Sequence, residues 1–111
     1  MTTADLQWVA GFLEGEGSFY TNPKSATFIV SAGQTQEWPL ERLVSLVGGR
    51  IYRQTVQGPN RKPCWQWQLS GVSGAGLAMT LYALMSPRRK EQIHARLALW
   101  KSHRPGRLRA A

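Results

Sequence analysis

The chain has 111 residues, 42% of them hydrophobic, which is long enough for one domain with one core and too short for two independent domains. Fourteen Lys and Arg against six Asp and Glu give a formal net charge of +8, and the bases are spread along the chain, which favours a polyanionic partner such as nucleic acid. The single cysteine, Cys64, excludes an intrachain disulfide and a cysteine-based metal site, and no stretch approaches the roughly 18 apolar residues of a membrane span. We therefore expect a soluble, intracellular protein with no membrane partner.

A helix opens the predicted order of elements. Its apolar residues follow helical spacing at Leu6, Val9, Ala10 and Leu13. Thr2, Thr3 or Asp5 would cap its start, and Gly15 and Gly17 interrupt the pattern at its end. The pattern predicts a helix over about residues 3–15.

A β-hairpin and a second helix follow. Two β-compatible runs, 18–21 and 26–33, are separated by the turn signal Asn22-Pro23. Pro39 then stands where a first helical position is expected, and Gly48-Gly49 supplies a stop. Between them, one face of the predicted helix is apolar, at Leu40, Leu43, Val44 and Val47.

The rest of the chain predicts another hairpin and two more helices. The runs 50–56 and 64–70 read as strands joined by a loop at 58–63, and an apolar stripe predicts a helix over about 73–85. Ser86-Pro87 has the form of a cap and first helical residue for a last helix, which would end near Trp100. Residues 1–100 are thus expected to form one domain of order αββαββαα, and residues 101–111 a flexible basic tail. We find no internal repeat.

Two carboxylates and two glycines at the end of the first predicted helix are not explained by stability. The negative pole of the helix dipole opposes Glu14 and Glu16 by up to about 1 kcal/mol each. Inside a helix, Gly11 and Gly15 would each cost roughly 0.5 to 1 kcal/mol relative to alanine. Small residues let another backbone come close, and carboxylates beyond a helix end can hold a hard divalent cation. Taken without its flanks, such a segment is more often a surface helix that ends in an acidic loop.

The flanks of these residues change that interpretation. The segment from Trp8 to Phe19 resembles the signature of the LAGLIDADG homing endonucleases, with residues 9–17 at the motif positions and Glu14 and Glu16 at the two acidic ones. A weaker resemblance extends over most of the chain, through Gln34, Gly48-Gly49, the segment 50–52, the Trp-rich strand and the segment 88–93. The resemblance implies an α+β half-domain in which helices cover one face of a four-stranded antiparallel, saddle-shaped sheet. The other face of that sheet would sit over the DNA major groove.

The same resemblance implies a set of active-site residues. Glu16 would be the catalytic, metal-binding acid, with Gly15 beside it, whereas Glu14 would cap or orient the helix end. The family commonly has aspartate where this chain has Glu16, and glutamate retains the two oxygens that a metal needs. Gln34 would position a water molecule. Strict alternation would put Gln34 on the face of Phe28 and Val30, and Gly33 before it could bulge the strand and re-aim that side chain. Arg88 or Arg89 would steady the scissile phosphate; the sequence does not separate them.

One copy of the motif implies a homodimer. Two Glu16 carboxylates meeting beside phosphates need counter-cations, which Mg²⁺ or Mn²⁺ would supply. A C2 homodimer calls for a pseudo-palindromic double-stranded DNA target and would leave a staggered break with 3′ overhangs. No small-molecule substrate is expected, and the setting would be the cytoplasm of a prokaryote, a phage-infected cell or an organelle. The interface residues expected on the motif helix are Trp8, Ala10, Gly11, Phe12, Glu14 and Gly15.

Alternation along the strands predicts which side chains face DNA. In the run 64–70, Trp65 and Trp67 share one face, expected to pack on the helices, and the glutamines share the other. The side chains expected on the DNA side are Thr27, Ser31, Arg53, Thr55, Gln66 and Gln68. The bases expected to hold phosphates are Lys24, Arg61, Lys62 and those of the tail. A stacking platform for single strands is the competing use of the tryptophans.

Two alternatives stay open at this stage. The first is a LAGLIDADG-fold protein that binds DNA or a structured intron RNA without cutting, as a regulator or maturase. The second is a small basic RNA- or ribosome-associated protein in which the acidic motif is accidental. Retention of both Glu14 and Glu16 argues against the first, and the second predicts a monomer.

Overall fold

Four α-helices and four strands follow one another in the part of the chain that the structure describes, residues 1–54 and 63–103 of a computed structural model. In chain order they are α1 (Thr3–Glu16), β1 (Gly17–Asn22), β2 (Thr27–Gln34), α2 (Trp38–Val47), β3 (Arg50–Gln54), β4 (Cys64–Ser70), α3 (Val72–Leu81) and α4 (Pro87–Ser102). A 3-10 turn, Tyr82–Leu84, lies between α3 and α4. The predicted order αββαββαα is confirmed.

Local hydrogen bonds account for where α1 begins. The side chain of Thr2 accepts a hydrogen bond from the backbone N–H of Asp5, and the Asp5 carboxylate accepts one from the backbone N–H of Thr2, both at 3.0 Å. This capping box satisfies two donors that a helix start leaves free. Hydrogen bonding of the Asp5 carboxylate to the Thr2 backbone N–H, and to the Thr2 side chain, lowers the pKa of Asp5, and the charge of Arg42 lowers it further.

The four strands form one antiparallel sheet in the order β1-β2-β4-β3. Its inner face is apolar and buried by the helices, with Phe19, Phe28, Val30 and Trp67 each at most 1% exposed. The opposite face lies open to solvent, where Tyr20 is 43% exposed. Helices on one face of a four-stranded antiparallel sheet are the α+β architecture predicted above.

The junction between β4 and α2 depends on a glycine. The indole N–H of Trp67 donates a hydrogen bond of 2.9 Å to the carbonyl of Gly48. At Gly49, φ is +99° and a Cβ atom would stand 2.6 Å from Trp67 Nε1, so only glycine fits there. The Gly48-Gly49 pair that ends α2 therefore also makes room for Trp67, the largest fully buried side chain of the core.

The end of the chain differs from the sequence prediction in two places. A single helix over about 73–85 is wrong, because α3 ends at Leu81 and the 3-10 turn leads into extended backbone at Met85 and Ser86. Because the residue before a proline is held out of the helical conformation, Pro87 accounts for the extended backbone at Ser86. At the other end, α4 continues to Ser102, two residues beyond the predicted limit. Residues 104–111 of the predicted tail lie outside the described part. No helix within it is long and apolar enough to cross a membrane.

Candidate active site and nucleic-acid interface

Glu14 joins the end of α1 to the start of α4. One carboxylate oxygen, Oε1, accepts a hydrogen bond of 2.7 Å from the backbone N–H of Ser86, and Oε2 accepts one of 2.9 Å from the Ser86 hydroxyl. The same hydroxyl accepts from the backbone N–H of Arg89 at 3.2 Å and so caps α4. The Ser86 backbone N–H is the main cause that lowers the pKa of Glu14, with the Ser86 hydroxyl and the charges of Arg89 and Arg88 adding to it against partial desolvation. The first acid of the motif is thus an ionised structural carboxylate.

Arg89 completes this junction from the α4 side. Its side chain is 8% exposed, and its Nε donates to the backbone carbonyl of Glu14 at 3.1 Å while Nη1 donates to Gln92 at 2.7 Å. Burial, and the positive charge of Arg88, lower the pKa of Arg89. Arg88 is exposed. The two arginines that the sequence could not separate therefore have different environments: Arg89 is buried in the helix junction and Arg88 faces solvent.

Glu16 is the last residue of α1 and is exposed. Its carboxylate makes no hydrogen bond or ion pair within the described ranges, in contrast to Glu14. Gly15 before it is also exposed, and a Cβ built there would meet nothing within 4 Å. The second acid of the motif is therefore free to bind a group from outside the chain.

The solvent face of α1 is shaped by small residues. Ala4, Gly11 and Gly15 recur on one side of the helix at the spacing that brings side chains into line, opposite the buried Val9 and Leu13. A Cβ at Gly11 would meet nothing within 4 Å. We call this surface, formed by Ala4, Gly11 and Gly15, the glycine face of α1.

Other residues expected at a dimer interface border the glycine face. Trp8 and Phe12 are half-buried and stacked, with ring centroids 5.3 Å apart and an interplanar angle of 11°. Arg42 of α2 covers the Trp8 ring at 4.3 Å. Ala10 is different: it is 5% exposed and packs in the core, so within one chain it offers little surface to a partner.

Gln34 lies at the end of β2 nearest the α1 C-terminus. The last β1–β2 pair is Gly17 with Ala32, and Gln34 continues β2 by two residues, paired with Trp65 of β4. The expected bulge at Gly33 is wrong, because the β2–β4 register runs without interruption from Ile29 to Gln34. Gln34 keeps strict alternation and stays on the helix side of the sheet.

The absence of a side chain at Gly33 has another use. A Cβ there would stand 2.6 Å from Nε2 of Gln66, the residue opposite on β4. Gly33 therefore leaves room for the Gln66 amide to lie across β2, and this role requires no bulge in the strand.

Four of the side chains predicted to face DNA lie on the open face of the sheet. Residues directly opposite each other in a ladder share a face. Ser31 pairs with both Ser18 and Gln68, and Gln66 pairs with Gly33 and with Tyr52. Thr27 also falls on this face, at the far end of β2. Lys24 is exposed in the β1–β2 turn.

The placement of Arg53 on that face is wrong. Its partner in the register is Trp65, so Arg53 stands on the helix side of the sheet, with its guanidinium 6.0 Å from the Trp65 ring centroid. The register is fixed by Ile51, which pairs with the buried Trp67 and puts its neighbours on the other face. Thr55, Arg61 and Lys62 lie outside the described residues.

Sequence reasoning missed several open-face residues. They are Ser18 and Tyr20 of β1 and Arg50, Tyr52 and Gln54 of β3. Pairing the apolar Ile51 with a tryptophan would have found the β3 set, since alternation from Ile51 exposes Arg50 and Tyr52. From α4, Arg96 lies 5.1 Å over the Tyr20 ring and adds a positive charge at the edge of this face.

A single chain supplies few metal ligands. Among residues 1–54 and 63–103, no group of three or more His, Cys, Asp and Glu side chains comes together. At the end of α1, the backbone carbonyl of Glu14 already accepts a hydrogen bond from Arg89. The oxygens available to a metal are those of the Glu16 carboxylate and of the backbone carbonyls that follow Glu14.

Comparison with known proteins gives one kind of match. No protein-family profile matches the sequence, and no curated protein matches it. The structure is similar to that of the homing endonuclease I-CvuI, crystallised in complex with its target in the presence of 2 mM Ca. The TM-score is 0.62 at 15% sequence identity, over 88% of this chain and 69% of that chain. The protein thus has the fold of a homing endonuclease: an antiparallel four-stranded sheet with α-helices.

Proposed function

We propose that the protein is a site-specific double-stranded DNA endonuclease that acts as a homodimer with a divalent metal ion. One observation carries this proposal: of two carboxylates two residues apart, Glu14 is fixed by Ser86 and Arg89, whereas Glu16 is exposed and unengaged in the described chain. A carboxylate held at a fixed helix end, with its oxygens free, is a ligand for a hard cation. The homing endonuclease fold and the charge of +8 support DNA as the substrate.

The glycine face of α1 supports a second copy of the chain as the partner. The glycines cost stability in a monomeric helix, and the space above Gly11 and Gly15 is open. A second α1 packed there about a two-fold axis would bring its backbone close and place two Glu16 residues near each other. This arrangement gives one acid for each DNA strand and a pseudo-palindromic target.

The residues present fit a divalent cation only as part of a larger ligand set. Mg²⁺ and Mn²⁺ prefer oxygen ligands, and each chain offers the Glu16 carboxylate together with the backbone carbonyl of Gly15. A second chain, DNA phosphates and water would complete the set. When bound, such an ion would polarise the scissile phosphate and lower the pKa of the attacking water.

The protein's own side chains have separate tasks in this scheme. Gln34 stays on the helix side of the sheet, at the sheet end beside the α1 C-terminus, and from there it would hold the attacking water by its amide without re-aiming by a bulge. Arg88, exposed at the first turn of α4, would contact the phosphate. Arg89 would act as a positioning residue, because its guanidinium holds the Glu14 carbonyl and so the segment that carries Glu16.

DNA would lie on the open face of the sheet. The helices do not cover this face, and hydrogen-bonding groups are offered there by Thr27, Ser31, Gln66 and Gln68. Lys24 would contact phosphates. Cleavage on both strands would give a staggered end with 3′ overhangs.

A cleavage assay on selected targets tests the proposal. Sequences bound from a randomised duplex library in Ca²⁺ are cloned and incubated with Mg²⁺ and with wild-type protein, Glu16→Gln or Glu41→Gln. Glu41 is an exposed glutamate of α2, so its variant is the matched control. We expect wild-type protein and Glu41→Gln to cut both strands, and Glu16→Gln to bind without cutting. Tight, sequence-specific binding with no Mg²⁺-dependent cleavage by the wild type would instead identify a DNA-binding protein of this fold that does not cut.

A further inference from the structure

Two glutamine amides are joined on the open face of the sheet. Nε2 of Gln66 on β4 donates a hydrogen bond of 3.0 Å to Oε1 of Gln54 on β3. The two residues are not directly opposite each other, since Gln54 pairs with Cys64 and Gln66 with Tyr52. The bond therefore runs diagonally across the strands and fixes the direction of the Gln66 side chain.

Gly33 makes this arrangement possible. The Gln66 amide lies over β2 where any Cβ at position 33 would stand 2.6 Å from Nε2 and 3.3 Å from Cδ. A side chain at position 33 would push the amide away. The orientation of Gln66 is thus held by the acceptor at Gln54 and depends on the space that Gly33 leaves open.

Counting the remaining hydrogen-bonding groups gives Gln66 a defined preference. Its amide has two N–H donors and one carbonyl acceptor, and Gln54 uses one donor. One donor and one acceptor are left. In the major groove adenine offers an acceptor at N7 and a donor at N6, whereas guanine offers two acceptors, and cytosine and thymine each offer one group of a single kind.

From this geometry we infer that Gln66 reads adenine in each half of the target and that Gln54 is the positioning residue that excludes guanine. This inference rests on the proposed binding of duplex DNA by the open face. The free acceptor and donor of Gln66 match N6 and N7 of adenine. Guanine would meet one donor and, at O6, the Gln66 carbonyl oxygen. Without Gln54, both N–H groups of Gln66 would be available to the two acceptors of guanine.

Base discrimination at single positions tests the inference apart from cleavage. Binding in Ca²⁺ is measured for wild-type protein on its selected duplex and on duplexes changed at one base pair. The same set is measured for Gln66→Ala, Gln54→Leu, the double variant and Gly33→Ala. Gln68→Ala serves as the control on the same face, because no hydrogen bond between the Gln68 side chain and Gln54 or Gln66 is present in the described residues.

The expected result is a loss at one position only. Gln66→Ala should reduce the preference for adenine there by about 10-fold, within the range for one bidentate contact. Gln54→Leu should reduce the ratio of adenine to guanine affinity by about 2- to 10-fold, the effect of releasing one held side chain, and Gly33→Ala should reduce it in the same direction. The double variant should match Gln66→Ala. Gln68→Ala should leave this position unchanged.

Two results would overturn the inference, and they are distinguishable from failure of the proposed function. If Gln54→Leu keeps the wild-type ratio of adenine to guanine while Gln66→Ala loses it, Gln54 has no positioning role. If Gln66→Ala selects the same bases as wild type, Gln66 reads none. In both cases sequence-specific binding and cleavage persist. Absence of any duplex preference in the wild type would remove the proposed function and this inference together.

Discussion

Replacing Ser86 by alanine removes two hydrogen bonds where α1 meets α4. The hydroxyl donates to the Glu14 carboxylate at 2.9 Å and accepts from the backbone N–H of Arg89 at 3.2 Å. Loss of an N-cap costs about 1 kcal/mol. A hydrogen bond to a charged group contributes about 1.5 to 3 kcal/mol, reduced here because the Glu14 side chain is 32% exposed and keeps the bond from the Ser86 backbone.

Together these terms give a loss of about 2 kcal/mol for Ser86→Ala. For a domain of this size that loss lowers Tm by about 8 °C or more. Circular dichroism during thermal unfolding measures the shift. Ser45→Ala is the matched control, since Ser45 is an exposed helical serine whose side chain has no hydrogen bond within residues 1–54 and 63–103. A Ser86→Ala protein that melts together with the Ser45→Ala control would refute the account of this junction.

Four other variants test separate parts of the site. Gly11→Leu should leave Tm unchanged or raise it, since the space above Gly11 is open and leucine favours a helix. The same variant should abolish dimerisation on DNA, measured by sedimentation. A dimer that forms as in the wild type would argue against the glycine face as the interface. Glu14 has a lowered pKa, so its stabilisation is full above its ordinary value of 4.5 and is lost as the pH falls through the lowered value. The stability gap between wild type and Glu14→Gln, from urea unfolding, should therefore close in acid, and a gap independent of pH would contradict this. Arg89→Ala should lower Tm and cleavage, whereas Arg88→Ala should lower cleavage alone; equal effects on Tm would remove the distinction.

Local sequence signals predicted the start of each long helix. Ser86 with Pro87 combines cap chemistry with a residue that proline holds out of the helical conformation, and this junction formed as expected. For α1, Thr2 is the cap among the three candidates Thr2, Thr3 and Asp5. The same rules applied to the end of α3 failed. Met85 belongs to the predicted apolar stripe, but the chain must already be extended there to enter the Ser86 cap. Long-range geometry overrode the helical period at that point.

The faces of the strands were predicted only as well as their register. In β4, Trp67 and the two glutamines alternate so regularly that the face of the sheet on which each lies was predicted correctly. Arg53 was placed on the wrong face because β3 is short and largely exposed, so its polar residues carry no period, and the pairing of Ile51 with Trp67 decides the matter.

The roles of paired residues could not come from the sequence at all. Arg89 differs from Arg88 because it contacts the end of α1, 75 residues away in the sequence. Glu14 differs from Glu16 because Ser86 donates a hydrogen bond to its carboxylate. The contact of Gln54 with Gln66 joins two neighbouring strands between residues that are 12 positions apart in the sequence. Such partners are set by tertiary packing, which spacing along the chain does not encode.

Strand-resolved cleavage by mixed dimers tests the central claim most directly. Wild-type protein is mixed with Glu16→Gln at increasing ratio, with total protein constant, on a supercoiled plasmid carrying one selected target in Mg²⁺. If each chain of a dimer cuts one strand with its own Glu16, linear product should fall as the square of the wild-type fraction while nicked circles accumulate. Linear product that falls in simple proportion to the wild-type fraction, without nicked circles, would contradict the proposal of two Glu16 residues acting across one dimer.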